Sequence, residues 1–236
     1  MQEFNWLSFF LVTSFFSIST QHFVLISAPG TGKGTFSQYM KAQHDYIQIC
    51  PGDIFRQEIL QQTDLGKAIA AIVEAGDYVD EKIVCTLMQQ YIEEALAQDK
   101  PFILDGFPRS HTSLHFLLDF LTDKNLLQDI YFLQLQAPDT ICKERMLGRY
   151  VCNTCGHVDN LQMMLSSTTP TCVSCDAALT LRPGDKESVI DKRLVHFHGI
   201  IEPLLTLLEE KNLNVIHIDS TQPLSLLHKA YDEITQ

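Results

Sequence analysis

Residues 23–35 read FVLISAPGTGKGT, and this segment decides the fold of the chain. Its first four residues are apolar and predict a buried strand, its glycines predict a tight turn, and a helix-compatible segment follows from residue 36. Glycines let backbone N–H groups point at phosphate oxygens, and the N-terminus of a helix adds positive potential. The order of strand, glycine-rich turn and helix therefore predicts a phosphate-binding loop. The alternative is an ordinary turn between a strand and a helix.

Two residues of this loop have side chains suited to a nucleotide phosphate. Lys33 would reach the β- and γ-phosphates, and the hydroxyl of Thr35 could hold Mg²⁺. The loop departs from the general phosphate-loop pattern at two positions. Ser27 stands where the first glycine is usual and adds a Cβ near the phosphates, and Gly34 separates Lys33 from the hydroxyl residue.

The composition indicates a globular protein with an acidic surface. The chain has 236 residues, of which 45% are hydrophobic and 19% are charged, and its net charge is −12. This length allows one domain with insertions or two small domains, and the composition excludes a disordered chain. The acidic balance argues against non-specific binding to nucleic acid. No apolar run is long and clean enough to predict a membrane span.

Residues 1–20 are apolar and open to three interpretations. The segment is similar to the apolar part of a signal peptide, yet it carries no positive side chain, since Lys33 is the first Lys or Arg of the chain. It could be a targeting segment, a strand or helix packed on the domain, or a consequence of the choice of start site. We favour an extension without function.

Strand-like apolar runs alternate with helical patterns over the rest of the chain. We expect a strand over residues 44–49, an N-cap at Asp53 before the next helix, and one continuous helix over residues 187–210. The segment 151–181 is polar and interrupts the alternation. The pattern predicts an α/β sheet protein with a lid-like subdomain. Asp105 follows an apolar strand, at the end of the strand where such folds bind ligands.

Four of the seven cysteines form two C-x-x-C pairs, Cys152 with Cys155 and Cys172 with Cys175. Their spacing matches two zinc knuckles that close one tetrahedral site. Four thiolates leave no open coordination position, so we predict a structural Zn²⁺ that helps to fold a segment with little core of its own. The alternative is a pair of disulfides, which would suit an exported protein.

Several separate motifs give the chain a resemblance to one family. From about residue 22 onward it resembles the adenylate kinases of the long form, with a zinc-binding lid. The motifs that carry the resemblance, in the family's order, are residues 28–35, Gly52-Asp53-Ile54-Phe55-Arg56, Leu104-Asp105-Gly106-Phe107-Pro108-Arg109, Arg145-Met146-Leu147-Gly148-Arg149, the four cysteines, Arg182-Pro183-Gly184-Asp185 and Lys192-Arg193-Leu194. The family's form of the loop also accounts for Gly34.

The resemblance implies an α/β P-loop kinase fold with three parts. The core is a parallel β-sheet flanked by helices, a helical insertion binds the nucleoside monophosphate (NMP), and a small lid is stabilised by zinc. Residues 1–21 would be the apolar extension and 22–236 the kinase-like domain. Within that domain the implied segments are core 22–49, 80–147 and 186–236, NMP-binding 50–79 and lid 148–185.

The resemblance also implies reversible phosphoryl transfer from ATP to AMP with Mg²⁺, which gives two molecules of ADP. The implied catalytic set is Lys33, Arg109, Arg149, Arg182, Arg193 and Asp105, with Asp105 orienting Mg²⁺ through water. The implied ATP contacts are Gly30, Thr31, Gly32, Lys33, Gly34, Thr35, Arg145, Arg149, Val158, Asp159 and Gln222. The implied AMP contacts are Pro51, Arg56, Asp77, Tyr78, Val79, Gly106, Phe107, Pro108, Arg109, Ser113, Arg182 and Arg193. Any single arginine could be a solvated surface charge, but arginines at so many motif positions favour a phosphate clamp.

The chain departs from the family's pattern outside the phosphate contacts as well. Asp159 stands where the family has a lid Tyr, and Pro51 and Ser113 replace the Thr and Gln that read the acceptor base. Two alternatives therefore stay open: a kinase of the same fold with another or broader acceptor, and a nucleotide-binding protein that has lost turnover through Ser27. The acidic charge disfavours a third, a zinc-ribbon nucleic-acid binder. We expect a cytoplasmic monomer without nucleic-acid or membrane partners.

Overall fold

The computed structural model of the chain describes residues 21–75, 79–155, 157–160, 171–182 and 185–235. Residues 1–20 of the predicted N-terminal extension lie outside the described residues. The strands and helices follow in chain order as β1 (His22–Leu25), α1 (Lys33–His44), β2 (Ile47–Ile49), α2 (Pro51–Leu60), α3 (Asp64–Ala75), α4 (Glu81–Ala97), β3 (Phe102–Asp105), α5 (His111–Asp123), β4 (Ile130–Gln136), α6 (Asp139–Leu147), β5 (Arg149–Cys152), β6 (Val158–Asn160), β7 (Leu179–Leu181), α7 (Glu187–His196), α8 (Pro203–Glu210), β8 (Val215–Asp219) and α9 (Leu224–Glu233).

Five strands form a parallel sheet in the order β2-β3-β1-β4-β8, which confirms the predicted α/β fold. The central strand β1 pairs with β3 on one side and β4 on the other. Because β1 leads directly into the glycine-rich loop and α1, the loop leaves the sheet at the middle of its carboxyl edge. Crevices at this edge are where open parallel sheets bind ligands.

The side chains of β1 alternate between two hydrophobic layers, one on each face of the sheet. Val24 and Ile26 face a layer built mainly from α4, α5 and α8. Phe23 and Leu25 face the layer of α1 and α9, where the Phe36 ring meets Tyr231 edge-on. Burial on both faces explains why this strand is a continuous apolar run. Among the described helices, none combines the length and the apolar character needed to cross a membrane.

Two smaller units stand beside this core. Helices α2 and α3 pack on one another, and Phe55, Ile69 and Val79 form the buried centre of that unit. Strands β5, β6 and β7 form an antiparallel sheet in the order β6-β5-β7. The sheet occupies the segment that interrupted the alternation in the sequence. Its buried centre is small and includes two of the four paired cysteines.

Three local predictions were wrong. The strand predicted over residues 44–49 covers only Ile47–Ile49, because helix α1 continues to His44. Helix α2 has Cys50 as its N-cap and Pro51 at its first position, which places Asp53 inside the first turn.

The third wrong prediction is the continuous helix over 187–210. It divides into α7, a π-helical turn at Phe197–Ile201, and α8, which begins at Pro203. The Glu202 amide donates to the Phe197 carbonyl at 2.8 Å, five residues back. Pro203 cannot donate a backbone hydrogen bond, so the regular ladder stops at this point.

The side chain of Ser27 points into the sheet, and not toward the loop as the sequence suggested. Its hydroxyl is buried, accepts from the Leu135 amide at 2.7 Å and donates to the Leu133 carbonyl at 3.3 Å. The hydroxyl therefore extends the pairing of β1 with β4 beyond the end of the strand. Ser27 is a structural residue of the sheet.

We expect Ser27→Ala to lower the free energy of unfolding by about 1–2 kcal/mol, because the buried Leu135 amide loses its acceptor. Ser37→Ala is the matched control, since the Ser37 hydroxyl is buried and has no hydrogen-bond partner among the described residues. Removing that hydroxyl should leave stability unchanged or slightly raised. Urea unfolding of the two variants measures both effects. Equal stability of the two variants would show that the Ser27 bridge contributes nothing.

Candidate active site

The glycine-rich loop requires glycine at two positions. Gly30 and Gly32 have left-handed φ angles of 89° and 98°, which side chains disfavour. A Cβ on Gly30 would also lie 2.4 Å from the Cys142 carbonyl oxygen, at the first part of α6. The Thr31 hydroxyl donates to the Ala28 carbonyl at 2.8 Å and holds the turn. The loop is thus a fixed concave backbone at the N-terminus of α1, suited to an anion.

The ammonium group of Lys33 lies across this loop. Nζ donates to the Ser27 carbonyl at 2.8 Å and the Ala28 carbonyl at 2.7 Å. Burial lowers the pKa of Lys33 to about 8, and the nearby Asp105 carboxylate opposes that shift. A desolvated cation held by neutral carbonyls gains from an anionic ligand, so phosphate is the preferred partner of this group.

Further cations converge on the same edge of the sheet. Arg109, Arg149 and Arg193 lie near enough to Lys33 to lower its pKa further. Arg182 is in the same field, because burial and the guanidinium groups of Arg149, Arg56 and Arg193 lower its pKa to about 10. The structure therefore brings together the cationic members of the predicted catalytic set, which come from the end of the glycine-rich loop, the turn after β3, the lid and α7. Such a concentration of like charge in an acidic protein calls for an anionic ligand.

One carboxylate balances part of this charge. Asp185 accepts from Arg149 Nε at 2.7 Å and Nη2 at 2.8 Å, and it lies 3.7 Å from Arg193 Nη1. Only 4% of its side chain is exposed. Sequence reasoning quoted Asp185 within a motif but gave it no role. The sequence feature that could have identified it is an acidic residue three positions after Arg182, among the arginines of the predicted phosphate clamp.

Two arginines line the side of the site nearest α2. Arg56 pairs with Asp53 in the first turns of that helix, and the Arg109 Nε donates to the Gly106 carbonyl at 2.7 Å. Gly106 has a left-handed φ of 81°, and a Cβ there would lie 2.7 Å from Arg109 Nη2. The turn after β3 therefore needs glycine for the arginine to fold over it. Asp105, the last residue of β3, accepts from Gln48 at 3.2 Å.

The predicted acceptor contacts away from the phosphate differ in their burial and surroundings. Pro51 is buried at the start of α2, and Phe107 is buried beside Pro108 in the turn after β3. Val79 lies in the hydrophobic centre of the α2–α3 unit. Asp77 and Tyr78 lie outside the described residues. The Ser113 side chain is buried and caps the start of α5, so its hydroxyl is engaged within the protein.

Hydrogen bonds connect Arg145 to the two segments that carry the other predicted donor-base contacts. The guanidinium of Arg145 donates to the Ser220 carbonyl at 2.8 Å, and the Arg145 carbonyl accepts from the Asn160 amide group at 2.8 Å. Asn160 ends β6, the strand that carries Val158 and Asp159, and Ser220 precedes the turn with Gln222. Asn160 was missed by sequence reasoning, and no pattern in a single sequence distinguishes it from an ordinary strand-end asparagine.

The four paired cysteines meet in one cluster. Their sulfur atoms all lie within 4.8 Å of one another, and the Cys152–Cys175 and Cys155–Cys172 pairs are 3.5 Å apart. Bonds of about 2.3 Å to one tetrahedral ion would place sulfurs roughly 3.8 Å apart, whereas a disulfide needs about 2.05 Å. The Ser174 amide points at the Cys172 sulfur at 3.4 Å. The donor set and its spacing fit a tetrahedral metal ion.

Comparison with known proteins agrees with this geometry. A family model described as adenylate kinase matches residues 25–213. An adenylate kinase of Agathobacter rectalis is 30% identical over 88% of this chain and 95% of its own length. Those of Treponema denticola and Mycoplasma genitalium are each 32% identical, over 84% and 86% of this chain and 90% and 91% of their own lengths.

The bridge from Asp185 to Arg149 and Arg193 should stabilise the fold. We expect Asp185→Asn to lower the free energy of unfolding by about 2 kcal/mol, since the buried carboxylate that pairs with Arg149 and Arg193 becomes a neutral amide. Asp191, on α7, is a half-exposed partner of Lys143 on α6, and Asp191→Asn should cost less than about 0.5 kcal/mol. Urea unfolding measures both. Equal losses of stability would mean that the buried ion pair stabilises the fold no more than the half-exposed one.

Proposed function

The chain belongs to the adenylate kinase family, and we propose that its site transfers a phosphoryl group reversibly between ATP and AMP to give two molecules of ADP. The observation that carries this is the convergence of Lys33 and four arginines beside the loop at the sheet edge. Phosphoryl transfer needs little covalent participation by the protein. It needs in-line positioning and positive charge around the equatorial oxygens of the transferred group, and this cluster would supply the charge.

The donor triphosphate would occupy the loop. The backbone of residues 30–35 would cradle its phosphates, and Lys33 would exchange its two carbonyl partners for β- and γ-phosphate oxygens. Arg145 would stack on the donor adenine, since a planar guanidinium suits an aromatic face. Val158, Asp159 and Gln222 would surround that base.

The acceptor would lie between α2 and the turn after β3. Arg56 and Arg109 would hold its phosphate, and Arg149, Arg182 and Arg193 would close on the transferring group from the lid side. Support comes from Gly106, whose conformation lets Arg109 fold over the turn. The remaining acceptor contacts proposed are Pro51, Asp77, Tyr78, Val79, Phe107 and Pro108.

Mg²⁺ would be held by the Thr35 hydroxyl and, through water, by Asp105, which stands at the end of β3 beside the loop. When bound it neutralises charge on the phosphates. The cysteine cluster would hold Zn²⁺ as a structural ion, because its four thiolates fill the coordination sphere. The ion would replace the hydrophobic core that the lid sheet lacks.

We further propose that the division into core, NMP-binding insertion and lid follows the boundaries implied by the resemblance. The separate hydrophobic centres of the α2–α3 unit and of the lid sheet support it. We propose a cytoplasmic monomer. A broader acceptor range remains a second candidate, favoured by Pro51, which has no N–H, and by the engaged hydroxyl of Ser113.

Lys33→Ala and Arg109→Ala should each reduce turnover at least about a hundredfold, because each removes charge that stabilises the transition state. Lys41→Ala, at an exposed position on the same helix as Lys33, is the matched control and should stay within about twofold of the parent protein. A coupled assay of ADP formation from ATP and AMP measures all three. A loss below about fivefold for either test variant would place that residue outside the site.

Purified protein should contain one zinc ion per chain. Cys155→Ser and Cys175→Ser should each lose it, since three thiolates bind zinc more weakly than four. Cys85→Ala, in the core on α4, should retain it. Metal analysis and native mass spectrometry give the stoichiometry. A protein without zinc but with two disulfides would contradict both the zinc site and the cytoplasmic location.

A further inference from the structure

We propose that Glu81 selects the acceptor base by accepting a hydrogen bond from its exocyclic amino group. This inference rests on the proposed function, because it assumes that the acceptor nucleotide lies between α2 and the turn after β3. It assigns base recognition to a residue of α4 that carries no role in the sequence motifs.

The hydroxyl of Ser113 cannot serve this purpose, since its hydrogen-bonding capacity is used by the protein. Oγ accepts from the Arg109 amide at 3.1 Å and from the Ser110 amide at 3.0 Å. It donates within the same turn, where the Ser110 carbonyl is 3.2 Å away and the Ser110 hydroxyl 3.0 Å away. A buried hydroxyl that caps a helix and supports the Arg109 backbone is not available to a ligand.

Glu81 reaches this same turn from the start of α4. Its Oε1 accepts from the Ser113 amide at 3.2 Å and from the Ser110 hydroxyl. The carboxylate is therefore anchored at the N-terminus of α5, where the helix dipole favours negative charge. No hydrogen bond or ion pair among the described residues involves its second oxygen, Oε2, and the residue is partly exposed. One oxygen is fixed and the other remains an acceptor.

The position of this free acceptor is set by two neighbours. Ser113 is bonded to the backbone of Arg109, the proposed phosphate ligand, so this one residue links Glu81 to the proposed phosphate contact. Val79, two residues before Glu81, is buried against Phe55 of α2. Glu81 thus lies where the turn after β3 meets the α2–α3 unit, on the side where the acceptor proposed above would place its base.

A carboxylate oxygen accepts hydrogen bonds and cannot donate them. Beside a base edge it favours an amino group and repels a carbonyl oxygen. Adenine and cytosine present an amino group at the relevant edge, and hypoxanthine and uracil present a carbonyl. Glu81 should therefore prefer AMP over IMP and CMP over UMP, even though Pro51 and Ser113 offer no base contact.

The variant Glu81→Gln tests this with a defined change of one atom. Because Ser110 and Ser113 both donate to Oε1, the glutamine must place its carbonyl oxygen there and its NH₂ group in place of Oε2. The cap of α5 is preserved, while the outer atom changes from an acceptor to a donor. We expect the ratio of kcat/KM for AMP to that for IMP to fall at least about tenfold, and the CMP-to-UMP ratio to fall in the same direction.

Glu94→Gln removes one exposed charge farther along α4 and is the control, with both ratios unchanged. A capping role alone would lower the melting temperature of Glu81→Gln and affect all four monophosphates equally. Ratios within about twofold of the parent values would overturn the proposal. Equilibrium binding of AMP and IMP gives the same ratio without turnover, so an inactive parent protein would refute the kinase function and still test Glu81.

Discussion

Repulsion between positive charges gathered at one edge of the parallel sheet is the constraint on which the rest of the structure depends. Lys33 lies near arginines from the turn after β3, the lid and α7, and burial together with this positive charge lowers the pKa values of Lys33 and Arg182. Asp185 offsets part of this repulsion and holds Arg149 in a bidentate pair. The cluster as a whole stays positive, which suits a ligand with several phosphates and pre-organises the site for the charge of the transition state.

The turns that follow strands β1 and β3 position parts of this cluster. The central strand ends in a loop whose glycines allow close approach to α6, and Ser27 ties the strand end to β4. The turn after β3 has a glycine over which Arg109 folds, and the Ser113 hydroxyl fixes the Arg109 backbone. Lys33 and Arg109 are therefore positioned by turns whose backbone geometry requires glycine. The hydrophobic layers on the two faces of the sheet keep these turns at one edge.

The parts of this arrangement that sequence could predict are those written in short motifs. The loop, the α/β alternation and the meeting of four cysteines follow from residue spacing, and the structure agrees with them. The direction of the Ser27 side chain could not be predicted from residue spacing, because it depends on which strand lies beside β1. The roles of Asp185, Asn160 and Glu81 depend on contacts between segments distant in the chain. The π-helical turn before Pro203 was missed because the apolar pattern continues through it.

The central claim is that this cluster passes a phosphoryl group between two nucleotides rather than to water. The most direct measurement is ³¹P NMR of the protein with ADP and Mg²⁺ as the only nucleotide and metal added. If the phosphoryl group passes between nucleotides, we expect ADP to be converted to ATP and AMP in equal amounts, without release of inorganic phosphate. Unchanged ADP, or the appearance of inorganic phosphate in place of ATP, would contradict it.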